Sequence, residues 1–252
     1  MIRVIRNPQE FKQWRREKAG LTVGFVPTMG ALHAGHGALL DKCREENEIS
    51  VLSIFVNPTQ FNDPKDFEKY PTTWDTDLKF AEDHNVDIIF YPRFEEMYPD
   101  NYHYKVIENE FSKSLCGRSR PGHFDGVLSV VMKLFNIVSP TKAYFGEKDF
   151  QQLTLIQGMV RAFFLDLIVV SVPTVRESGG LALSSRNARL TAEEKIKAPA
   201  IFKTLQQAKN AGEAAALLTE QGFKVDYVTD LRGRRYVAAY LGDVRLIDNV
   251  QI

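Results

Sequence analysis

Short, nearly continuous apolar runs alternate along this chain with segments of helical periodicity. That alternation constrains the fold more than any other feature. Thr22–Pro27, Ser50–Val56, Val86–Tyr91, Lys142–Phe145 and Leu167–Val172 read as strands. Asp75–His84, Phe124–Val138 and Phe150–Phe164 read as helices, and another helical pattern follows Gly30. Strands separated by helices of this length pair in parallel through crossovers, and strands apolar at successive positions are covered on both faces. The expected fold class is α/β, built on a parallel sheet.

The pattern changes after Pro173. Thr191-Ala-Glu-Glu194 has capping-box spacing before a helical run to about Lys209. A short helix around Glu213–Glu220 and strand-like segments at Lys224–Val228 and Tyr236–Leu241 follow. A boundary near residues 173–180 therefore divides a larger domain, 1–175, from a smaller α+β domain, 176–252. With 32 Lys+Arg against 32 Asp+Glu, the chain has no overall electrostatic grip on nucleic acid or an anionic membrane. A chain of 252 residues buries a core without a disulfide or metal staple. Two cysteines, Cys43 and Cys116, make no disulfide framework. Charges at Lys12, Arg15, Arg16, Glu17 and Lys18 interrupt any leader-like apolar segment. The most apolar stretches, Val127–Val138 and Ala162–Val172, carry Lys133 and Asp166 and fall short of the ~20 residues a bilayer span needs. These features predict a soluble, cytoplasmic protein with neither nucleic-acid nor membrane partners.

The most informative stretch is Val26-Pro-Thr-Met-Gly-Ala-Leu-His-Ala-Gly-His36, where the first strand meets the first long helix. A helix N-terminus there offers unpaired N–H groups and the positive end of the dipole to an anion. His33 and His36 share a face in a first helical turn and can donate to phosphate oxygens. Gly35 removes a side chain where a nucleotide approaches the backbone. Zinc would need a third and usually a fourth ligand, and no second metal-spaced cluster is present. The dinucleotide fingerprint has the wrong spacing, and Gly-Lys-Ser/Thr is absent. Taken alone, Gly146–Asp149 reads as a surface turn with Asp149 capping the next helix, and Ser184–Asn187 as a polar loop.

His33-Ala-Gly-His36 resembles the His-x-Gly-His motif of the nucleotidyltransferase superfamily. Further blocks resemble the pantothenate synthetase (pantoate–β-alanine ligase) family, in the family's order. They are Pro27–His36, Ser53–Phe61, Arg120-Pro-Gly-His-Phe-Asp-Gly126, Phe145-Gly-Glu-Lys-Asp-Phe-Gln-Gln152, Val172–Glu177, Leu183-Ser-Ser-Arg-Asn187 and Tyr240–Asn249. The resemblance implies a Rossmann-like sheet domain with a C-terminal lid domain. It implies a ligase that condenses pantoate with β-alanine through a pantoyl-adenylate, releasing pyrophosphate and then AMP. Its cosubstrate is ATP, its metal Mg²⁺ with unassigned ligands, and its assembly a homodimer.

The resemblance also implies the site. ATP is expected at Met29, Gly30, Ala31, Leu32, His33, Ala34, Gly35 and His36, at Gly146, Glu147, Lys148 and Asp149, and at Val175, Leu183, Ser184, Ser185 and Arg186. His33, His36 and Lys148 are the expected catalytic groups, with His36, or a water beside it, a candidate proton handler for the β-alanine amine because histidine titrates near neutrality. Gln60 and Gln152 are expected to hold pantoate, with Asn57, Arg120 and His123 beside them; Arg120 reads equally well as a structural partner. The C-terminal region, with Arg232-Gly-Arg-Arg235, reads as shorter than is usual for the family. Two other functions share the motif: joining ATP to a phosphorylated acceptor, and nucleotide binding without catalysis. A tRNA-charging synthetase would need an anticodon-binding domain and a basic surface.

Overall fold

The computed structural model describes residues 2–62 and 67–252. Strands β1 (Arg3–Ile5), β2 (Val23–Thr28), β3 (Ile49–Ile54), β4 (Ile88–Phe90), β5 (Lys142–Gly146) and β6 (Ile168–Val172) form a parallel sheet. Their spatial order is β1-β4-β3-β2-β5-β6. Every residue of β3 is buried, which requires cover on both faces. Alternate residues supply it. Phe25, Val51 and Phe90 join one apolar cluster with Phe11, Leu128, Phe135 and Ile156. Val26, Leu52 and Ile89 join another with Leu40, Cys43 and Ala81. The first cluster is covered by α1 (Pro8–Glu17), and the second by α2 (Ala34–Glu46) and α3 (Trp74–Asp83). On the first face lie also α4 (His123–Val138) and α5 (Phe150–Ala162). In α4 the buried Phe124, Val127, Leu128, Val131, Leu134, Phe135 and Val138 repeat at helical spacing.

The remaining chain forms α6 (Ala192–Lys197), α7 (Ala200–Gln207), α8 (Ala211–Glu220) and an antiparallel meander, β7 (Lys224–Leu231), β8 (Arg234–Leu241) and β9 (Val244–Gln251). Strand β8 serves two cores through its period of two. Val237, Ala239 and Leu241 pack with Ile201, Leu205 and Leu218, while Tyr236 and Ala238 belong to the core under the parallel sheet. The small sheet is thus a wall of the larger unit as well as a unit of its own.

Several elements depart from the sequence reading. The three-residue β1 is too short to show a pattern. The buried polar pair Asp248 and Asn249 interrupts the apolar alternation of β9 and hides it. The helical run to Lys209 is broken at Ala198-Pro199, where proline supplies no N–H, and α7 ends at Gln207. Helix α5 stops at Ala162, and Phe164 turns to φ +52° instead of continuing it. The capping box is realised: Thr191 N–H donates to Glu194 Oε2 at 2.8 Å, and Glu194 N–H to Thr191 Oγ1 at 3.2 Å. Among the described residues no helix is long and apolar enough to cross a membrane.

Candidate active site

The chain leaves β2, β3, β5 and β6 at one edge of the sheet, carrying Met29–His33, Asn57–Gln60, Glu147–Asp149 and Val175 with it. The winding reverses between β2 and β5, which opens a crevice at the carboxyl ends of the strands. A cavity of about 260 Å³ lies there. Its lining brings together Met29, His33, Gly35, His36, Asn57, Gln60, Arg120, His123, Gly146, Lys148, Asp149, Gln152, Val175, Leu183, Ser184, Ser185 and Arg186. Gly30, Ala31, Leu32, Ala34 and Glu147, also expected at the nucleotide, do not line it. A larger cavity, about 420 Å³, includes Arg120, His123, Lys148, Asp149, Gln152, Ser184 and Arg186 and extends along the small sheet.

A buried carboxylate that the sequence reading missed shapes the turn before α2. Asp77, 1% exposed, accepts the amide of Ala31 at 2.9 Å, the amide of Leu32 at 2.8 Å and the hydroxyl of Thr73 at 3.1 Å. Gly30 has φ +81°, and a Cβ there would lie 2.8 Å from Asp77 Oδ2, so glycine is required twice over. His33 is the N-cap of α2, and its Nδ1 accepts the amide of Gly35 at 3.1 Å. His36 Nδ1 accepts the amide of His33 at 3.3 Å. Backbone amides only donate, so both neutral rings carry their proton on Nε2. The rings sit 4.1 Å apart.

Burial, and then the neighbouring His33, push the His36 pKa down to about 3; burial, then Lys148, lower that of His33. The site therefore presents two neutral N–H donors. His36, expected to handle the amine proton itself or through a water beside it, is placed here as a donor at Nε2, its ring held neutral by burial.

Gln60 sits in a clamp. Its Oε1 accepts from Asn57 Nδ2 at 3.2 Å, and its Nε2 faces Met29 Sδ at 2.8 Å. Asn57, 1% exposed, also donates to Gly126 O at 3.2 Å, and its Oδ1 accepts from the Tyr98 hydroxyl at 3.0 Å and the Thr59 hydroxyl at 3.1 Å. The Gln60 carbonyl accepts from His123 Nδ1 at 2.7 Å and from Arg120 Nη2 at 3.2 Å. Arg120 Nη1 meets His123 Nε2 at 3.1 Å, which fixes the tautomer with its proton on Nδ1. Burial, then the Arg120 charge, push His123 down to about 3. Asn57, Arg120 and His123 are at the cavity as expected, but these bonds engage them with Gln60 and its loop. Helix α4 comes close enough that a Cβ on Gly126 would overlap the carbonyl of Thr59.

The opposite wall is cationic. Lys148 lies on a tight turn after β5, with Nζ 3.6 Å from Asp149 Oδ2. Asp149 occupies the N-cap position of α5 without a side-chain cap bond, and it lines the cavity. Loss of solvent would raise its pKa, but attraction to Lys148 and Arg186 outweighs this and holds it below the ordinary range. Ser184 Oγ accepts the amide of Arg186 at 3.3 Å and caps the short helix Ser185–Arg189. Leu183 passes over α2, its Cβ 3.7 Å from where a Cβ of Gly35 would stand. Tyr70, unread in the sequence, reaches Ser185 across the cavity. Among the described residues no group of three or more His, Cys, Asp or Glu is placed to hold a metal ion.

Comparison with known proteins matches this arrangement to one family. The family model described as pantoate-beta-alanine ligase matches residues 3–251. The pantothenate synthetase of Bdellovibrio bacteriovorus is 70% identical over 252 residues, all of both chains. A pantoate-beta-alanine ligase from Francisella tularensis, solved in complex with beta-gamma ATP and beta-alanine, superposes with TM-score 0.94 at 40% identity, covering 100% of this chain and 98% of that one. Pantothenate synthetase from Thermus thermophilus gives 0.88 at 39% identity, covering 99% of each. Arg232-Gly233, in the stretch read as compressed, is a tight turn between β7 and β8. The chain belongs to the pantoate–β-alanine ligase family, the ATP-dependent ligases that join pantoate to β-alanine to make pantothenate.

Proposed function

We propose that the cavity activates pantoate on ATP and then passes the acyl group to β-alanine, with the groups divided as follows. In the first step a pantoate carboxylate oxygen bonds to the α-phosphorus of ATP, and the bond to the bridging oxygen of pyrophosphate breaks. Charge moves onto the leaving pyrophosphate, so fixed donors and cations aimed at it lower the barrier. Lys148 and Arg186 supply the charge. His33 and His36 supply neutral Nε2–H donors, together with the N-terminus of α2. Ser184 and Ser185 follow the pyrophosphate as it leaves. Gln60 and Gln152 hold pantoate. Because Asn57 engages the Gln60 oxygen, the Gln60 NH₂ is the group left to donate to a carboxylate or hydroxyl.

In the second step the uncharged amine of β-alanine bonds to the acyl carbon, the acyl C–O bond breaks, AMP departs and the amine proton is lost to water. The segment Leu183–Arg186 over α2 keeps bulk water from the acyl-adenylate. Among the described residues no group of three or more His, Cys, Asp or Glu forms a cage, so Mg²⁺ would enter as the counter-ion of ATP, held mainly by phosphate oxygens and water.

A division of the chain at 175/176 is supported by the end of β6 at Val172, three residues before, and by the loop that leads from there to Ser184–Arg186. The buried free thiols of Cys43 and Cys116 fit a reducing cytoplasm. The homodimer is supported by the outer strand β6, which exposes Ile168 (59%) beside Phe163 (55%) and Phe164 (93%), an apolar edge suited to cover by a second copy.

The observation that carries the mechanism is the meeting of the two histidines, Lys148 and Arg186 with Gln60 and Gln152 around one cavity. Product analysis tests it. The protein is incubated with Mg-ATP and pantoate, with and without β-alanine, and AMP, pyrophosphate and pantothenate are measured by mass. AMP and pantothenate in equal amounts, only when both substrates are present, is the expected result. ATP binding with no AMP in any mixture overturns the acyl-adenylate route.

A further inference from the structure

The last strand of the small sheet reaches into the cationic wall. Asn249 on β9 is 5% exposed. Its Nδ2 donates to the carbonyl of Glu147 at 2.9 Å and to that of Lys148 at 3.0 Å. Its Oδ1 accepts from Arg234 Nη1 at 2.5 Å. The Arg234 guanidinium lies 3.7 Å from the ring centre of Phe150, the first residue of α5. One amide therefore bridges two successive carbonyls of the turn that bears Lys148, and its partner arginine braces the helix that follows. Bridging consecutive carbonyls fixes the peptide planes on both sides of the Lys148 Cα, and so the direction in which its side chain leaves the backbone.

The neighbouring residue does similar work on the other loop. Asp248, also 5% exposed, receives Arg176 with both oxygens, at 2.6 and 2.9 Å. Arg176 also donates to the carbonyl of Gly180 at 3.1 Å and stacks on Phe202 at 3.7 Å. It stands at the start of the loop that ends in Ser184–Arg186. Asp248 Oδ1 accepts the amide of Asn249 at 2.8 Å, which joins the two grips. A buried bidentate arginine–carboxylate pair is geometrically exacting, as is an amide with every polar group engaged.

We infer that Asn249 is a positioning residue for Lys148 and that Asp248 anchors the loop of Ser184–Arg186 alongside it. The small sheet then sets the spacing of the two cationic segments that face the nucleotide. This rests on the reading that Lys148 acts on the ATP phosphates.

The test is pantoate-dependent exchange of labelled pyrophosphate into ATP, which reports the first half-reaction alone. It is run on the full-length protein and on Asn249→Ala, Lys148→Ala and the double variant, with circular dichroism to score folding. Small misplacement of a group acting in the transition state costs on the order of 100-fold, so Asn249→Ala should lower the exchange kcat roughly 10- to 100-fold. The pantoate KM should hold within about twofold. In the Lys148→Ala background the same change should cost less than about twofold, since the group it positions is gone.

Equal losses in both backgrounds, or wild-type exchange by Asn249→Ala while Lys148→Ala is inactive, overturns the inference and leaves the role of Lys148 standing. Wild-type exchange by Lys148→Ala overturns both. Should Asn249→Ala fold poorly, Asn249→Asp answers the same question. It keeps the shape and the Arg234 pairing and loses the two donated bonds, and it must show the same loss of kcat and the same non-additivity.

Discussion

Asn57 holds the side-chain amide of Gln60 in one orientation, its Nδ2 donating to Gln60 Oε1 at 3.2 Å while Tyr98 occupies its own oxygen at 3.0 Å. The donor end of Gln60 is thereby turned from its loop toward the cavity. Asn57→Asp keeps the shape and replaces the donor with an acceptor, so the Gln60 amide must turn over and present oxygen to an anionic substrate. The pantoate KM is expected to rise roughly tenfold or more with the ATP KM unmoved, the cost of a lost hydrogen bond to a charged group. Tyr98→Phe should move the same constant the same way by less. Steady-state kinetics with each substrate varied checks this, and equal changes in both KM values would refute it.

Asp77 offers a stability readout as well as a catalytic one. Its two oxygens receive the amides of Ala31 and Leu32. Asp77→Asn sets an NH₂ group against a backbone N–H, a buried mismatch costing about 1–3 kcal/mol. The turn carrying His33 and His36 shifts with it, and pyrophosphate exchange should fall roughly 100-fold. Thermal unfolding and exchange measured on one sample decide the matter. An unshifted melting temperature with normal exchange would mean that Asp77 does not shape the turn.

The buried His123 makes folding sensitive to acid. Its folded pKa is about 3, whereas the unfolded imidazole titrates near 6.5. Between these values the unfolded chain binds a proton that the folded chain refuses. Its contribution to stability is therefore full above pH 6.5 and falls as the pH drops toward 3. Over the step from pH 7 to pH 5 this amounts to about 2 kcal/mol at most. Urea unfolding of the wild type and of His123→Asn at both pH values measures the difference. Identical pH slopes for the two proteins would show that another group carries the effect.

The apolar edge at β6 bears on assembly. Phe164 is 93% exposed beside Ile168 and Phe163. Phe164→Glu should shift the mass seen by light scattering from dimer toward monomer while leaving the circular dichroism spectrum unchanged. A wild-type protein that is monomeric at every concentration tested would remove the dimer reading.

Legibility in the sequence followed the range of the interactions. The parallel strands were readable because burial on both faces makes them apolar throughout, as in β3. His33 and His36 were readable because their setting is local, a glycine-bracketed turn between a strand and a helix; Lys148, on what reads alone as a surface turn, was legible only through the resemblance of its block to the family. Asp77 was not, since it meets Ala31 from 46 residues away and looks like any acidic residue in a first helical turn. Tyr98 reaches Asn57 across 41 residues, and Asn249 reaches Lys148 across 101. Strand β9 was missed for a related reason. The polar pair that makes it useful at the site breaks the alternation by which strands are recognised. Asn57 and His123 show the converse: their place at the cavity was legible, but their partners were not.

The grip of Asn249 on the Lys148 turn also sets an order of assembly. A chain emerging from the ribosome completes β2, the His33 turn and β5 while β9 is still unmade. Those parts can pair into a sheet, yet the lysine turn has no brace until residue 249 has been added and β9 has zipped onto β8. A nascent protein at that stage holds a nucleotide-facing edge without an aligned cation wall. Activation of a carboxylate is thereby deferred until β9 has paired with β8.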